Sequence, residues 1–396
     1  MCLTPVFFGF ILKAFQIYSS FSELPKSWKY IIEHDIFLQP NYFKALEKAS
    51  PKNIQFFYVG IFKNEVLVGL ALVQHVQLYL RDMFRKTAVS CLQTFFQSIV
   101  SKFLKGNILV VGNLMHTGQH GMHYQESKIS QAEYLDNVFK ALEELKTKIK
   151  ITQKKSIRII VLKDFFNQDS IHMHKHILQS NKLHNIFVQP NMIMELIPSW
   201  LTIDDYVNSF KKKYKSRYKR AKKKLGNVTC LELNIDAIKS NSNKLYHLYL
   251  NVSNNAKFNT FVLPKEHFYN LKRELKDNFK VFGYYIDDEL IAFYTLILNG
   301  NNLETYFLGY NISLQQSNQL YLNMLYDMVE FGIEHQYSNI IYARTAMEIK
   351  SSVGAKPKEM SIYLKHTNSL FNTILKQVFK LMNPAQNWEV RHPFKG

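Results

Sequence analysis

The apolar positions of the chain follow two rhythms. From Ile203 to Leu225, the residues Ile203, Tyr206, Val207, Phe210, Tyr214, Tyr218, Ala221 and Leu225 recur every three or four places, which draws one stripe along a helix. Thr202, with Asp205 three residues on, offers a helix start, and Gly226 a stop. The spacing predicts one long amphipathic helix opening the second half. The other rhythm is that of β-branched and aromatic runs. Residues 54–62 and 66–78, on either side of Lys-Asn-Glu, read as a hairpin. Further strands are expected at 15–18, 107–111, 157–162 and 186–197. Helices are expected at 22–32, 41–49, 83–104, 130–148, where Ser130 and Glu133 form a capping box, and 170–179.

After Pro198 the order starts again: strands at 228–233, a hairpin over 279–298, strands at 303–310, 339–343 and 360–365, with helices at 237–254, 265–275, 317–335, near Met347 and up to 381. The hairpins VGIFKNEVLVGLALV from Val59 and FGYYIDDELIAFYTL from Phe282 align without a gap at an offset of 223, Gly60 on Gly283 and Gly69 on Ala292. Beyond them the offset falls to about 185, as a duplication with one inserted helix would leave. The pattern predicts an α/β protein with a mixed sheet covered by helices in each half. It divides into an extension (1–13), an N-terminal domain (14–198) and a C-terminal domain (199–396).

Charge adds a partner to this picture. The formal net charge is +19, and ten of the fourteen residues from Lys211 to Lys224 are Lys or Arg. Such an excess favours phosphates, nucleotides, RNA or a membrane surface. On the basic helix Arg217 and Tyr214 are placed to contact an RNA or a lipid-linked phosphate; the alternative is one solvated face of a packed helix. Cys2, Cys91 and Cys230 have neither metal nor redox spacing, as expected in a reducing compartment. The apolar run from Pro5 to Tyr18 holds Lys13, lacks a basic leader and a small-residue cleavage site, and is too short to span a bilayer. These features predict a cytoplasmic protein without stable membrane insertion. His116, His120 and His123 share a glycine-containing loop that lines a ligand pocket or else lies on the surface. His172, His174 and His176 would splay around a helix and hold no zinc.

Helices, a long hairpin, a third strand, a helix, a fourth strand and a closing strand, occurring twice, resemble the GNAT acyltransferase fold. With the basic segment Ser216-Arg-Tyr-Lys-Arg-Ala-Lys-Lys-Lys, the tandem arrangement resembles the Fem-type aminoacyltransferases of peptidoglycan synthesis and their bacterial N-acyltransferase relatives. The run from Ile340 to Pro357 is similar to a signature of these enzymes, with Lys350 and Gly354 in the matching places. The resemblance implies two tandem GNAT-like mixed-sheet domains with helices on both faces, the first degenerate and the second catalytic. It implies an N-acyltransferase with no tightly bound cofactor, taking acyl-CoA or an acyl carrier protein thioester as co-substrate, or alternatively aminoacyl-tRNA. The acceptor is a small or lipid-linked amine; tRNA is a possible partner and DNA is not.

One departure bears on the donor. GNAT enzymes hold pyrophosphate on a glycine-rich loop whose N–H groups open a helix, yet the corresponding stretch from Ser313 to Leu320 has no glycine. Ser317 and Asn318 remain to cap that helix and leave its N–H groups for an anion. Acyl transfer to an amine needs a base, oxyanion donors and an acid for the leaving group. Candidates are Glu304 or Glu348 as base, Tyr306 or Tyr310 as acid, and Arg344 and Lys350 for an anionic group. A rival of another class is a non-catalytic binder of RNA or an anionic surface.

Overall fold

A computed structural model describes residues 13–32, 35–78, 106–255, 259–382 and 388–395. The helix expected at 83–104 lies outside the described residues. The strands of the first half are β1 (Phe15–Tyr18), β2 (Ile54–Lys63), β3 (Val66–Leu78), β4 (Gly106–Val111), β5 (Met122–Tyr124), β6 (Ile157–Phe166) and β7 (His184–Glu195). Those of the second are β8 (Thr229–Glu232), β9 (Phe279–Ile286), β10 (Glu289–Asn299), β11 (Asn302–Tyr310), β12 (Asn339–Ile341) and β13 (Lys356–His366). The helices used below are α1 (Pro40–Lys48), α2 (Gln131–Gln153), α3 (Ile203–Asn208), α4 (Lys212–Leu225), α5 (Ser242–Asn255), α6 (His267–Leu275), α7 (Ile312–Asn318), α8 (Leu320–Glu334), α9 (Met347–Ser351) and α10 (Ser369–Met382).

All these strands join one mixed sheet in the order β1-β2-β3-β4-β6-β13-β7-β12-β11-β10-β9-β8, with β5 beside β3. Read from its two ends, the order is the same: β1 to β4 and β6 answer β8 to β12. At the centre the closing strands have changed places. β13 pairs antiparallel with β6 and β7, and β7 pairs antiparallel with β12. The two mixed sheets expected from the sequence are thus fused through exchanged strands.

The hairpin alignment extends to register. Gly60 faces Leu70 in the first hairpin and Gly283 faces Phe293 in the second. Their two-residue turns are left-handed at matching positions, Asn64 and Glu65 with φ 49° and 65°, Asp287 and Asp288 with φ 45° and 64°. Such turns match the twist of the flanking strands.

One face of the sheet carries a core common to both halves, in which Trp28, Phe43 and Leu46 pack with Phe268, Leu271 and Phe293. Lys44 and Lys48 of α1 reach Glu274 of α6 at 2.8 and 3.0 Å. The other face carries two cores, one under α2 and one under α3, α4 and α8.

The amphipathic stripe is buried, but the helix carrying it is broken. It ends at Asn208 and restarts at Lys212, because Phe210 turns into a cluster with Tyr206, Tyr214 and Phe394. Lys211 N–H donates to Pro393 O (2.8 Å) instead of continuing the helix. Thr202 and Asp205 do make the expected helix start, as a capping box. Thr202→Ala should lower stability by about 1 kcal/mol, read as a shifted urea midpoint with an unchanged slope. The helix expected at 317–335 is likewise divided, at Gln319 (φ 48°). Ser317 and Asn318 therefore end α7 rather than cap α8: Ser317 Oγ donates to Leu314 O, and Asn318 Nδ2 reaches the carbonyls of Lys224 and Leu225.

Candidate active site at the seam

Beyond Val111, paired with Leu162 of β6, the chain leaves the sheet at Gly112 and returns as β5 beside β3. A Cβ on Gly121 would lie 2.3 Å from Gly112 Cα, so glycine is needed where the ends of this excursion touch. The loop carries His116 and His120 toward the second half. There His120 Nδ1 meets Asp35 Oδ2 at 2.9 Å, and its Nε2 faces Glu304 Oε1 of β11 at 3.9 Å. Asp35 is fixed by Phe37 N–H (3.0 Å) and Asn299 Nδ2 (3.2 Å). A carboxylate, an imidazole and a second carboxylate thus stand in a row across the two halves.

Burial pushes the Glu304 carboxyl up to about 7; His120 opposes the shift and Asp35 adds to it. Burial pulls the His120 imidazole down, but the charge and hydrogen bond of Asp35 outweigh it and leave its pKa raised. Asp35 is pushed up by burial and held below the usual carboxylate range by His120. The carboxyls therefore differ in role: Asp35 stays ionised, while Glu304 exchanges its proton near neutrality.

Glu304 and His120 line a cavity of about 730 Å³ between the first turns of α2, the end of β6 and strands β7, β11 and β12. Its wall also carries Glu126, Asp169, Glu195, Asn191 and Lys358. A second cleft, of about 630 Å³, lies at the start of α8, the counterpart of α2. Lys213, Arg217 and Arg220 of α4, Arg391, and the glutamines at 315, 316 and 319 line it.

Other expected site residues take separate places. Tyr306 shares Glu304's strand, and its hydroxyl meets His267 Nε2 at 3.0 Å. Tyr310 ends the same strand, partly buried against the core under α4 and α8. Glu348 is turned outward and pairs with Arg391 at 2.5 Å, beside the cationic cleft and away from the cavity. Arg344 pairs with Asp164 of β6, which also takes Lys163 Nζ and Gly118 N–H (3.1 Å). Lys350 is buried, and its Nζ donates to the carbonyls of Tyr342 (2.5 Å), Arg344 (2.6 Å) and Ala343 (3.3 Å). Burial lowers its pKa to about 7. Its contacts show a clamp on the left-handed chain at Ala343 and Thr345 rather than a reach into a cleft. Gly354, with φ 112°, leaves room for Phe394. Of the loop histidines, His120 and His123 line the cavity, and His116 packs 4.1 Å from the Phe37 ring. His172 is committed to Tyr363 and the carbonyl of Phe166.

Residues 212–351 match the family described as "Acetyltransferase (GNAT) domain". The chain carries a GNAT acyltransferase domain. The match takes in Arg217, Glu304, Arg344 and Lys350 but not His120 or Asp35. No curated protein matches the chain in sequence. Among solved structures, FemX has 10% identity and a TM-score of 0.52 over 93% of this chain and 99% of its own. The C-terminal domain of a putative lysylphosphatidylglycerol synthetase from Agrobacterium fabrum has 8% identity and a TM-score of 0.49 over 90% and 93%. A tandem GNAT protein from the clavulanic acid biosynthesis pathway has 8% identity and a TM-score of 0.46 over 83% and 88%. The GNAT domain thus sits in a chain with the overall fold of FemX, and the enzyme class is acyltransferase. Among the described residues no helix is long and apolar enough to cross a membrane.

Proposed function

We propose that the protein is an N-acyltransferase that works at the seam between a 14–198 domain and a 199–396 domain, with Glu304 as general base. The observation that carries this reading is a buried carboxyl with a pKa of about 7 facing a cavity of substrate size, 3.9 Å from a histidine held by Asp35. A base titrating near neutrality is half-ready at working pH. The amine nitrogen attacks the acyl carbonyl as Glu304 removes its proton. The C–N bond forms, the bond from the carbonyl to the leaving sulfur breaks, and the thiolate takes a proton. His120 shares the charge as Glu304 cycles, and Asp35 orients the ring.

The donor belongs at the cationic cleft. β11 and β12 are paired only over 302–304 and 339–341, and the proposed route for the acyl group to Glu304 runs beyond that pairing, on the side where α8 begins. Arg217, Arg220, Lys213 and Arg391 supply by side chain the phosphate contacts that a glycine loop supplies by backbone. An acyl-thioester of coenzyme A is the proposed donor. Aminoacyl-tRNA is the second reading, favoured by the continuation of cationic residues along α4 from Lys212 to Lys224.

A millimolar coenzyme A titration should raise Tm by mass action, and Arg217→Ala with Arg220→Ala should remove that rise. Thiol release from acetyl-coenzyme A over an amine panel reads turnover. No shift and no thiol release, with retention of aminoacyl-tRNA at low salt, would transfer the assignment to the second reading.

A further inference from the structure

The cavity at the seam and the cationic cleft occupy corresponding places in the two halves, each at the first turn of a long helix, α2 before β6 and α8 before β12. Gln131, Tyr134 and Leu135 of α2 line one; Gln319 and Leu322 at the start of α8 line the other. Their charges are opposite. In a chain of net charge +19, the cavity carries Glu126, Asp169, Glu195 and Glu304 against His120, held by Asp35, and Lys358, itself paired with Glu195 at 3.3 Å.

Two buried oxygens of this wall make the charge specific. Glu304 is 5% exposed. Its nearest charged partner is His120 at 3.9 Å. Asn191, on β7, is 2% exposed, and its Oδ1 has no partner. Both are acceptors, and the buried Asn191 oxygen left unpaired carries a desolvation cost that a ligand donor relieves. The matching ligand chemistry is N–H, and the surrounding carboxylates favour N–H that is charged.

We infer that the cavity binds a polycationic alkylamine as acceptor, one ammonium held among Glu126, Asp169 and Glu195 and another amino group delivered to Asn191 and Glu304. The duplicated clefts have thus divided the labour by charge, anionic donor in one half and cationic acceptor in the other. The inference rests on the proposed function for the fate of the amine but not for its binding. An occupied site is deeper than one small diamine fills, since about 730 Å³ lies in the range of drug-sized ligands.

Spermidine, titrated calorimetrically into the full chain without donor, is the test. It should bind, and bind more tightly as pH rises through about 7, where Glu304 loses its proton. Glu304→Gln should weaken it about tenfold or more. Asn191→Leu, close in volume and free of the unpaired oxygen, should raise the KM for spermidine about tenfold, leave kcat within about threefold and leave the melting temperature undiminished. Inorganic phosphate, as an anionic probe, should compete with coenzyme A and not with spermidine. No spermidine binding at millimolar concentration, or binding unaffected by both substitutions, would overturn the inference. If coenzyme A still bound through Arg217 and its acyl derivative were consumed with an uncharged amine, the acceptor class would fall and the transferase reading would stand.

Discussion

Glu304→Gln is expected to lower kcat/KM by about 10²- to 10⁴-fold, the range for loss of a positioned base, and at the same time to make the protein more heat-stable at pH 8. Both effects come from one raised pKa. In the unfolded chain the carboxyl loses its proton near the ordinary value of 4.5, whereas in the folded protein it keeps it to about 7. The folded state therefore holds more protons between these values, and its stability falls as pH rises from 4.5 through 7. Above pH 7 the native protein carries a buried charge that glutamine lacks. A shift of this size corresponds to up to about 3 kcal/mol, which His120 moderates. The gain should shrink toward pH 4.5, and wild-type kcat/KM should rise with pH and level off above about 7. A Gln variant with wild-type turnover, or with equal melting temperatures at pH 8, would remove Glu304 from the mechanism.

The second large effect concerns Asp164, which sits in β6 with φ 59°, fully buried, and pins the halves together. Burial raises its pKa, but Lys163 and Arg344 outweigh that and hold it below the usual range. Burial lowers Lys163 to about 8 in spite of Asp164. Asp164→Ala leaves a buried ammonium and a half-buried guanidinium without their partner, which should cost about 3–5 kcal/mol. Arg344→Ala leaves the Lys163–Asp164 pair intact and should cost less, about 1.5–3 kcal/mol, as for a hydrogen bond to a charged group. Urea unfolding of the two variants gives the order directly. An order reversed from this one would show that Arg344, not Asp164, is the keystone.

Much of the fold was legible because periodicity and turn chemistry are local. The strand at 15–18, both hairpins and the helix capped at Ser130 follow from runs of residues a few places apart, and the gapless alignment of hairpins predicted their common register. The exchange of β7 and β13 was not legible, since two apolar strands carry no mark of which half they complete. The break at Phe210 depends on Phe394, far away in sequence. Within the site, Glu304 was readable as an acid in a strand that otherwise buries apolar residues. His120 was noticed only as one of a loop trio, and Asp35 and Asn191 left no trace, because their meaning comes from neighbours far away in sequence. Arg344 and Lys350 lie in a motif that sequence reads as a ligand site, yet their side chains meet Asp164 and backbone carbonyls.

The position of β13 also governs how the molecule is born. It is made after both β6 and β7, and until it is in place those strands present unpaired edges with nothing between them. The nascent chain therefore cannot close its N-terminal half before β13 is made, and long-range pairing of this kind is slow and exposed to aggregation. The strand order thus ties completion of the first half to synthesis of the second.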